Sequence, residues 1–323
     1  MTSNPLPDAV DLLLEATVAG SFSRLGYEVR RRLEDWEDPP AGALAGRRIL
    51  LTGATSGIGR AATGQLLDLG AEVLVVGRDE QRTIKAVAEL GVAHPNGTVS
   101  AHIADLADLG AVRKMADELV AFGAPFDAIV HNAGALLADK TMTVDGIETT
   151  LAVHLISPHL LTERLMPLLR PLARVVWVTS GGMYGQGLDV EHLEMDEAGY
   201  KGATQYARAK RAQVELLGLW AERLAPTAVV HAMHPGWADT PGVEKGLPTF
   251  RKLTGPALRT PDQGADTLVW LLWADEPATT TGRLWLDRRQ RSTNRLPGTG
   301  TTDEERARLW EWVAGASRVP EPT

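Results

Sequence analysis

The fold is decided by residues 47–59, which read RRILLTGATSGIG. The first six residues form a short apolar run, which predicts a buried β-strand, and a helical pattern begins at Arg60. The glycines between them permit a sharp turn and let backbone amides approach a phosphate, while the helix N-terminus supplies partial positive charge. The stretch therefore predicts a strand, a phosphate-binding turn and a helix in direct succession.

The glycine spacing narrows what this turn binds. It differs from G-x-G-x-x-G and lacks the Lys-Ser/Thr ending of a P-loop, so nucleotide hydrolysis is disfavoured. A turn without a ligand is the alternative, but the flanking strand and helix are what the phosphate-binding mechanism requires. The residues expected to line the turn are Gly53, Thr55, Ser56, Gly57, Ile58 and Gly59.

Further apolar runs alternate with segments long enough for helices. The runs read AEVLVVG, TVSAHI, DAIVHNAG, RVVWVTS, AVVHAMHP and GRLWLD. Such alternation is typical of a parallel sheet that is buried on both faces and joined by right-handed helical crossovers. We therefore predict an α/β fold with a doubly wound parallel sheet, an extra N-terminal helix and a C-terminal helix.

Three segments follow from this pattern. Residues 1–45 would form an amphipathic helix and a linker, because apolar side chains recur every three or four positions up to a proline- and glycine-rich stretch. Residues 46–290 would form the sheet domain, and residues 291–323 a C-terminal extension whose helix is capped by Thr302.

The N-terminal helix has an apolar stripe that needs a partner. Packing on the main domain or on a second subunit is the favoured interpretation. A helix lying on a membrane surface is the alternative, but Asp8, Asp11 and Glu15 would repel anionic lipid.

Composition excludes several function classes. Lys and Arg total 33 against 41 Asp and Glu, a net charge of -8, which disfavours nucleic-acid binding. The chain has no cysteine, which excludes disulfides, thiolate metal sites and a cysteine nucleophile, and its histidines show no metal-ligand spacing. We expect no metal, no export signal and no membrane span, and hence a cytoplasmic protein.

The end of the second strand carries an arginine that bears on cofactor choice. An acidic side chain there accepts a hydrogen bond from the ribose 2′-hydroxyl of NAD, whereas an arginine binds a 2′-phosphate bidentately. Arg78 follows Gly77 at this position, so the sequence predicts NADP(H). A solvated surface arginine is the alternative.

Three side chains are candidates for catalysis. Tyr206 and Lys210 lie four residues apart in a helical segment and share one face, so the ammonium is expected to lower the phenol pKa from about 10. Ser180 follows the strand RVVWVT, at the carboxyl edge where open α/β sheets bind ligands. Two glycines follow Ser180 outside a G-x-S-x-G frame, which disfavours serine hydrolysis.

In their order along the chain, these motifs resemble the short-chain dehydrogenase/reductase family, which has a Rossmann fold. The resemblance spans roughly residues 47–287, and the segments MHPGWADTPGV and LWLDRRQRST resemble its dehydrogenase/reductase member 12-like and retinol-dehydrogenase-like subgroup. It rests on the glycine-rich turn, HNAG at residues 131–134, Ser180, Tyr206 with Lys210, and HPG at residues 234–236.

The resemblance implies roles for further residues. By this resemblance, Asp105 and Leu106 would hold the adenine. Asn132, Ala133 and Gly134 would brace the sheet beside the cofactor. Pro235, Gly236 and Thr240 would contact the nicotinamide end. Lys210 would bind the nicotinamide ribose, Ser180 would orient the substrate oxygen, and Tyr206 would give it a proton as hydride arrives.

One position departs from the family pattern. The family commonly has an Asn in the helix before the serine strand, where it supports a bulge and a proton-relay water, and here that position is His154. Pro158 lacks an N–H and clashes with the carbonyl four residues earlier, which is that of His154. We expect a kink that replaces the bulge and leaves this carbonyl unbonded for the relay water. The alternative is a helix without a relay, in which His154 is an ordinary packed or solvated histidine.

The sequence thus predicts an NADP(H)-dependent oxidoreductase that interconverts an aldehyde or ketone and an alcohol, with Tyr206 as general acid. A weak or inactive NADP(H)-binding regulator or scaffold is the alternative, which His154 leaves open. A sugar-nucleotide epimerase or dehydratase is disfavoured by the glycine spacing. Residues 239–260 would form part of a lid over an apolar substrate, and the family's helix packing implies a homo-oligomer.

Overall fold

One mixed sheet forms the centre of the computed structural model, which describes residues 6–318. Its strands are β1 (Arg48–Thr52), β2 (Glu72–Gly77), β3 (Thr98–Ile103), β4 (Phe126–His131), β5 (Leu169–Val178), β6 (Ala228–Met233), β7 (Arg283–Leu286) and β8 (Arg289–Arg291). The spatial order is β3-β2-β1-β4-β5-β6-β7-β8, and every pair is parallel except β7 with β8. The predicted doubly wound parallel sheet is confirmed, and each of the apolar runs overlaps one of its strands. Residues 1–5 and 319–323, the outer ends of the predicted terminal segments, lie outside the described residues.

Helices cover both faces of the sheet. They are α1 (Leu6–Glu15), α2 (Val18–Phe22), α3 (Arg24–Leu33), α4 (Gly57–Asp68), α5 (Glu80–Ala93), α6 (Leu109–Phe122), α7 (Thr149–Leu151), α8 (Ser157–Leu165), α9 (Gly202–Glu215), α10 (Leu217–Leu224), α11 (Pro241–Gly246), α12 (Pro248–Thr254), α13 (Pro261–Trp273) and α14 (Asp303–Ser317). A π-helical segment, Ala152–Ile156, joins α7 to α8. None of the helices within residues 6–318 combines the length and apolar character that a bilayer crossing requires.

Alternate residues of the central strands enter two separate apolar cores. Leu50 of β1 packs in the core that includes side chains of α6, α8, α9 and α14, whereas Ile49 and Leu51 pack in the core that includes those of α4 and α13. Successive side chains of a strand point to opposite faces, so a strand buried on both faces is apolar without interruption. The chain order reverses between β1 and β4, and open α/β sheets bind ligands at such a switch point.

The N-terminal segment is three helices, α1 to α3, rather than the single helix predicted. The Thr17 side chain accepts a hydrogen bond from the Gly20 amide at 2.9 Å and so starts α2 as a new helix. A Cβ at Gly26 would overlap the Gly20 carbonyl, which shows how closely α2 and α3 cross. The apolar spacing persists through these breaks, which is why periodicity alone indicated one helix.

The C-terminal end of the sheet holds a short hairpin that the sequence did not predict. Asp287 and Arg288 connect β7 to β8 with φ values of 53° and 58°. Two-residue hairpin turns of this conformation usually contain glycine or asparagine, and this one has no glycine to mark it. By contrast, the predicted C-terminal helix is present as α14, which begins with a capping box between Thr302 and Glu305.

Candidate active site

The predicted site residues lie together at the carboxyl edge of the sheet. Because β1 to β6 run parallel, the chain segments that follow them emerge at the same edge. The segments that follow these six strands contain, in chain order, the glycine-rich turn, Arg78, Asp105, Asn132, Ser180 and Pro235.

The glycine-rich turn is shaped for close approach by a ligand. Gly53 and Gly57 have φ values of 77° and 55°, a conformation that other residues rarely adopt. A Cβ at Gly59 would overlap both the Gly53 carbonyl and the Asn132 side chain. Helix α4 begins at Gly57, and Ser56 makes no side-chain hydrogen bond to its first turn. A glycine cradle at an uncapped helix N-terminus fits a pyrophosphate group.

Residues after β4 fix the position of this turn. The Asn132 side-chain amide donates to the Thr52 and Gly53 carbonyls, both at 3.0 Å. The backbone amides of Asn132 and Ala133 donate to the Thr52 hydroxyl at 3.1 and 3.0 Å. The end of β4 is thereby tied to the start of the turn.

The loops after β2 and β3 present one unpaired cation. The Asp79 carboxylate accepts from the Arg82 amide at 2.9 Å and caps α5. Arg78 is exposed and makes no hydrogen bond or ion pair with any residue in the range 6–318. In the next loop, Asp105 accepts from the Ala107 amide at 2.9 Å and the Leu106 carbonyl from the Ser157 hydroxyl at 2.6 Å. Arg78, rather than its acidic neighbour, is available to a ligand.

Ser180, Tyr206 and Lys210 form one cluster, as their positions on β5 and α9 predict. The Ser180 hydroxyl accepts from the Gly182 amide at 3.3 Å and lies beside the Tyr206 phenol. The Lys210 ammonium lies 5.5 Å from the centre of the Tyr206 ring and donates to the Val178 carbonyl at 2.7 Å. A hydroxyl, a phenol and an amine therefore meet beside the end of β5.

The expected lowering of the Tyr206 pKa is wrong for this structure. Burial raises the pKa of the phenol, and the hydrogen bond from Ser180 offsets only part of that rise. Burial also lowers the pKa of Lys210 from its usual value near 10.5 to about 7. The spacing of the two residues places them correctly, but desolvation sets the direction of both pKa shifts. The result is a phenol that keeps its proton and is suited to donating it.

The unbonded carbonyl expected at His154 is also wrong. The His154 carbonyl accepts from the Gln213 side chain at 2.5 Å, and the residue lies in a π-helical segment, so the bulge is present rather than replaced by a kink. Its imidazole is buried edge-on against the Tyr206 ring with a centroid separation of 5.2 Å and hydrogen-bonds to the Ala135 backbone. Burial and the Lys210 charge hold the pKa of His154 well below its usual range, so the imidazole is neutral. A Cβ at Gly134 would overlap this ring.

The loop after β6 lies against other parts of the site. Gly236 has φ 69°, and a Cβ there would lie 2.5 Å from the Arg259 side chain. Thr240 caps α11, and its methyl carbon would be 3.3 Å from a Cβ at Gly57. The structure therefore places Thr240 beside the glycine-rich turn. Pro235 and Gly236 follow the carboxyl end of β6, and Gly236 lies against the Arg259 side chain.

The lowered pKa of Lys210 predicts how its replacement changes the free energy of unfolding at different pH values. Below pH 7 the amine is charged in the folded and unfolded protein alike, so folding carries the full cost of burying an ammonium. We expect Lys210→Met to raise the free energy of unfolding at about pH 6 by roughly 2–4 kcal/mol, allowing for the lost hydrogen bond. The gain should shrink as the pH rises from about 7 to about 10, where the unfolded amine also loses its proton. Urea unfolding over this range measures it.

The exposed Lys114→Met variant serves as the control, with no pH-dependent gain expected. A Lys210→Met protein that is less stable than the parent at about pH 6 would contradict the assignment of a buried, destabilising amine.

Comparison with known proteins agrees with this geometry. Residues 47–248 match the family model described as short chain dehydrogenase. The chain belongs to the short-chain dehydrogenase family. It is therefore an oxidoreductase, of a family that uses nicotinamide cofactors and small-molecule substrates.

Two curated short-chain dehydrogenases illustrate the subgroup. The human dehydrogenase/reductase SDR family member 12 is 35% identical over 254 residues, 78% of this chain and 80% of the relative. Mouse retinol dehydrogenase 14 is 32% identical over 304 residues, 87% of this chain and 88% of the relative. The predicted subgroup is confirmed. A solved structure of an uncharacterised protein from Mycobacterium paratuberculosis shares the fold, with a TM-score of 0.69 and 24% identity over 88% of this chain and 98% of its own.

Sequence reasoning missed two residues that contact this short-chain dehydrogenase site. Gln213, one turn beyond Lys210 on α9, holds the His154 carbonyl. Phe22, from the N-terminal segment, packs its ring against Gly181, directly after Ser180. The two glycines after Ser180 were the available signal, because a glycine beside a catalytic residue often marks a close approach by another group.

Proposed function

We propose that this protein is an NADP(H)-dependent oxidoreductase that interconverts an aldehyde or ketone and an alcohol. The observation that carries the proposal is the cluster of Ser180, Tyr206 and Lys210, with the phenol beside a serine hydroxyl at the ligand-binding edge of the sheet. The proposal extends the family assignment to a cofactor, a substrate class and a proton donor.

The residues present fit a dinucleotide with a 2′-phosphate. The glycine-rich turn would hold the pyrophosphate, the unpaired Arg78 would bind the 2′-phosphate, and Lys210 would donate to the nicotinamide ribose. When bound, the nicotinamide supplies or accepts the hydride.

Tyr206 and Ser180 would handle the proton and the substrate oxygen. The Ser180 hydroxyl would donate to the substrate oxygen and so hold it near the phenol. Tyr206 would then give its proton to that oxygen during reduction, so that negative charge does not build up on it. In the oxidative direction the same phenol oxygen takes the proton back.

The predicted lid and the loop that leads into it contain an aromatic pair and an ion pair. Trp237 and Phe250 meet edge to face with a ring separation of 5.1 Å, and Arg251 pairs with Asp239 across the same segment at 2.7 Å. An aromatic pair beside the loop that follows β6 supports a substrate with an apolar body attached to its carbonyl or hydroxyl group.

Arg78 provides a test of the cofactor. We expect NADPH to bind more tightly than NADH by about tenfold to a hundredfold, because a charge-assisted, bidentate contact to phosphate is among the stronger hydrogen bonds. Arg78→Ala should remove most of that difference by weakening NADPH alone. Titration of protein fluorescence with each cofactor gives the two dissociation constants.

Lys85→Ala is the matched control, since Lys85 is an exposed cation on α5 paired only with Glu89 within the described chain. It should leave both dissociation constants unchanged. Equal affinity of the parent protein for the two cofactors would overturn the NADP(H) assignment.

A second candidate function is cofactor binding without turnover. It is favoured by His154, which stands where the family commonly has an Asn that supports a proton-relay water. Both the ring and the carbonyl of His154 already make hydrogen bonds within the protein. The two candidates are separated by mixing the protein and NADPH with a panel of aldehydes and ketones and following cofactor absorbance. Oxidation of NADPH that depends on the carbonyl compound supports the enzyme, whereas tight NADPH binding with no turnover across the panel supports the binding protein.

A further inference from the structure

Phe22, at the C-terminal end of α2, contacts both loops that border the candidate catalytic cluster. Its side chain is only 2% exposed, and its ring lies so close to Gly181 that a Cβ there would overlap it. Its carbonyl accepts from the Trp237 amide at 2.8 Å. Gly181 directly follows Ser180, and Trp237 directly follows Gly236. One residue of the N-terminal segment therefore spans the chain segments after β5 and β6.

The ring of Phe22 is held from several sides. It meets the His234 ring edge-on with a centroid separation of 4.6 Å and the Trp237 ring at 6.3 Å. Tyr184 stacks beside it at 6.2 Å, and the Arg295 guanidinium lies 5.4 Å from its centre. Aromatic rings in such contact have one well-packed arrangement, so the position of Phe22 fixes that of Gly181.

Buried charges anchor the helices that carry Phe22. Arg30 of α3 donates to Asp287 at 2.6 Å and to the Ser21 carbonyl at 2.9 Å. Arg259 donates to the same Asp287 carboxylate at 2.5 Å and to the Phe22 carbonyl at 3.0 Å. Asp287 is the first residue of the turn between β7 and β8, so the N-terminal helices are tied to the edge of the sheet.

We propose that Phe22 is a positioning residue that sets the Ser180 hydroxyl relative to the Tyr206 phenol. The proposal rests on the proposed function for its kinetic consequence. Phe22 acts through Gly181, the neighbour of Ser180, and through the Trp237 amide, the neighbour of Gly236. Without its ring, the 3-10 turn at Gly181–Gly185 loses the surface against which it packs, and the serine hydroxyl loses its fixed distance to the phenol.

The kinetic test uses aldehyde reduction by the full-length chain with NADPH, and benzaldehyde as the probe. Phe22→Ala should lower kcat by about tenfold to a hundredfold, while KM and the NADPH dissociation constant change less than about twofold. Phe22→Leu should recover part of kcat because it refills part of the contact. A change confined to KM, or none in a folded variant, overturns the proposal.

A paired substitution tests the contact itself. Gly181→Ala should lower kcat because its methyl group overlaps the Phe22 ring, and adding Phe22→Ala should raise kcat above that of Gly181→Ala alone. Gly185→Ala, in the same turn but with open space around its Cβ, is the matched control and should keep the parent kcat. Equal losses for Gly181→Ala and Gly185→Ala overturn the proposal.

Amide hydrogen exchange separates this proposal from the proposed function. In the NADPH-bound protein, Phe22→Ala should speed exchange in residues 180–185 and 236–240 by about tenfold or more, with β1 and β2 unchanged. If the parent protein turns over no carbonyl compound, the proposed function fails and the exchange result alone decides. Unchanged exchange in both loops then overturns the positioning role, and faster exchange in both supports it.

Discussion

Replacing Tyr206 by phenylalanine is expected to lower kcat for carbonyl reduction by about 10²- to 10⁴-fold, the usual contribution of a positioned general acid. The substitution removes one hydroxyl and keeps the ring that packs against His154. Cofactor affinity should therefore stay the same, because neither the glycine-rich turn nor Arg78 is touched. Steady-state kinetics with NADPH and a carbonyl substrate give kcat, and fluorescence titration gives the affinity.

The raised pKa of Tyr206 adds a pH dependence to this expectation. A phenol with a pKa above about 10 stays protonated through neutral pH, so its ability to donate should be constant there and be lost only in strong alkali. Tyr200→Phe is the matched control, since the Tyr200 hydroxyl donates to Glu148 at 3.0 Å, away from the cluster. A Tyr206→Phe protein with parental kcat would remove the phenol from the mechanism.

Asp287→Asn is expected to destabilise the protein by about 3–5 kcal/mol, the cost of leaving buried charges without their partner. The carboxylate is 1% exposed and pairs with both Arg30 and Arg259. The asparagine has nearly the same shape but no charge. The buried guanidinium groups of Arg30 and Arg259 would therefore lose the carboxylate that they share. Chemical denaturation at neutral pH measures the loss.

The same carboxylate predicts how stability depends on pH. Burial by itself would raise the pKa of Asp287, but Arg259 and Arg30 lower it below its usual value. A carboxylate whose pKa is lowered by folding stabilises the folded protein. This stabilisation is complete above about pH 4, the pKa of the group in the unfolded chain, and is lost as the pH falls through its pKa in the folded protein. The parent protein should thus lose stability below about pH 4 more steeply than Asp287→Asn does.

An exposed ion pair supplies the control for this experiment. Asp303→Asn breaks a pair with Arg306 in which the Asp303 side chain is 96% exposed, so its effect should be under about 0.5 kcal/mol. An Asp287→Asn protein as stable as Asp303→Asn would show that the buried cluster contributes little.

The sheet and the placement of the site follow from local sequence. The apolar runs are long enough to be strands buried on both faces, and parallel strands bring their carboxyl ends to one edge. For this reason the sequence alone places Arg78, Asn132 and Ser180 at one edge, whereas Tyr206, on a helix, is placed there by the family resemblance. The order of motifs along the chain then predicted the family, which the comparisons confirm.

The N-terminal helices could not be predicted from spacing, because their partners are distant in sequence. Arg30, Arg31 and Arg32 are adjacent and look alike, yet Arg30 is 1% exposed and Arg32 81% exposed. Arg30 is buried among Asp11 and Glu15 of α1 and Asp287, which lies 257 residues away in the sequence. Nothing local to either residue indicates that this pair forms.

The protonation states at the site depend on how deeply the groups are buried, which residue spacing does not show. Tyr206 and Lys210 are one turn apart, as predicted, but the sign of the Tyr206 pKa shift depends on how completely the surrounding chain removes water. The π-helical segment is a similar case, since Pro158 indicated disturbed hydrogen bonding but not that Gln213 would occupy the His154 carbonyl.

The pairing of Arg30 with Asp287 also constrains how the protein is made. Ribosomes extend a chain by about 5–20 residues per second, so the first helices leave the exit tunnel roughly 10 to 50 s before Asp287 is synthesised. During that interval Arg30 can pair with Asp11 and Glu15 of its own segment but not with Asp287. The buried cluster that joins α3 to the turn after β7 can therefore close only after that turn has been synthesised.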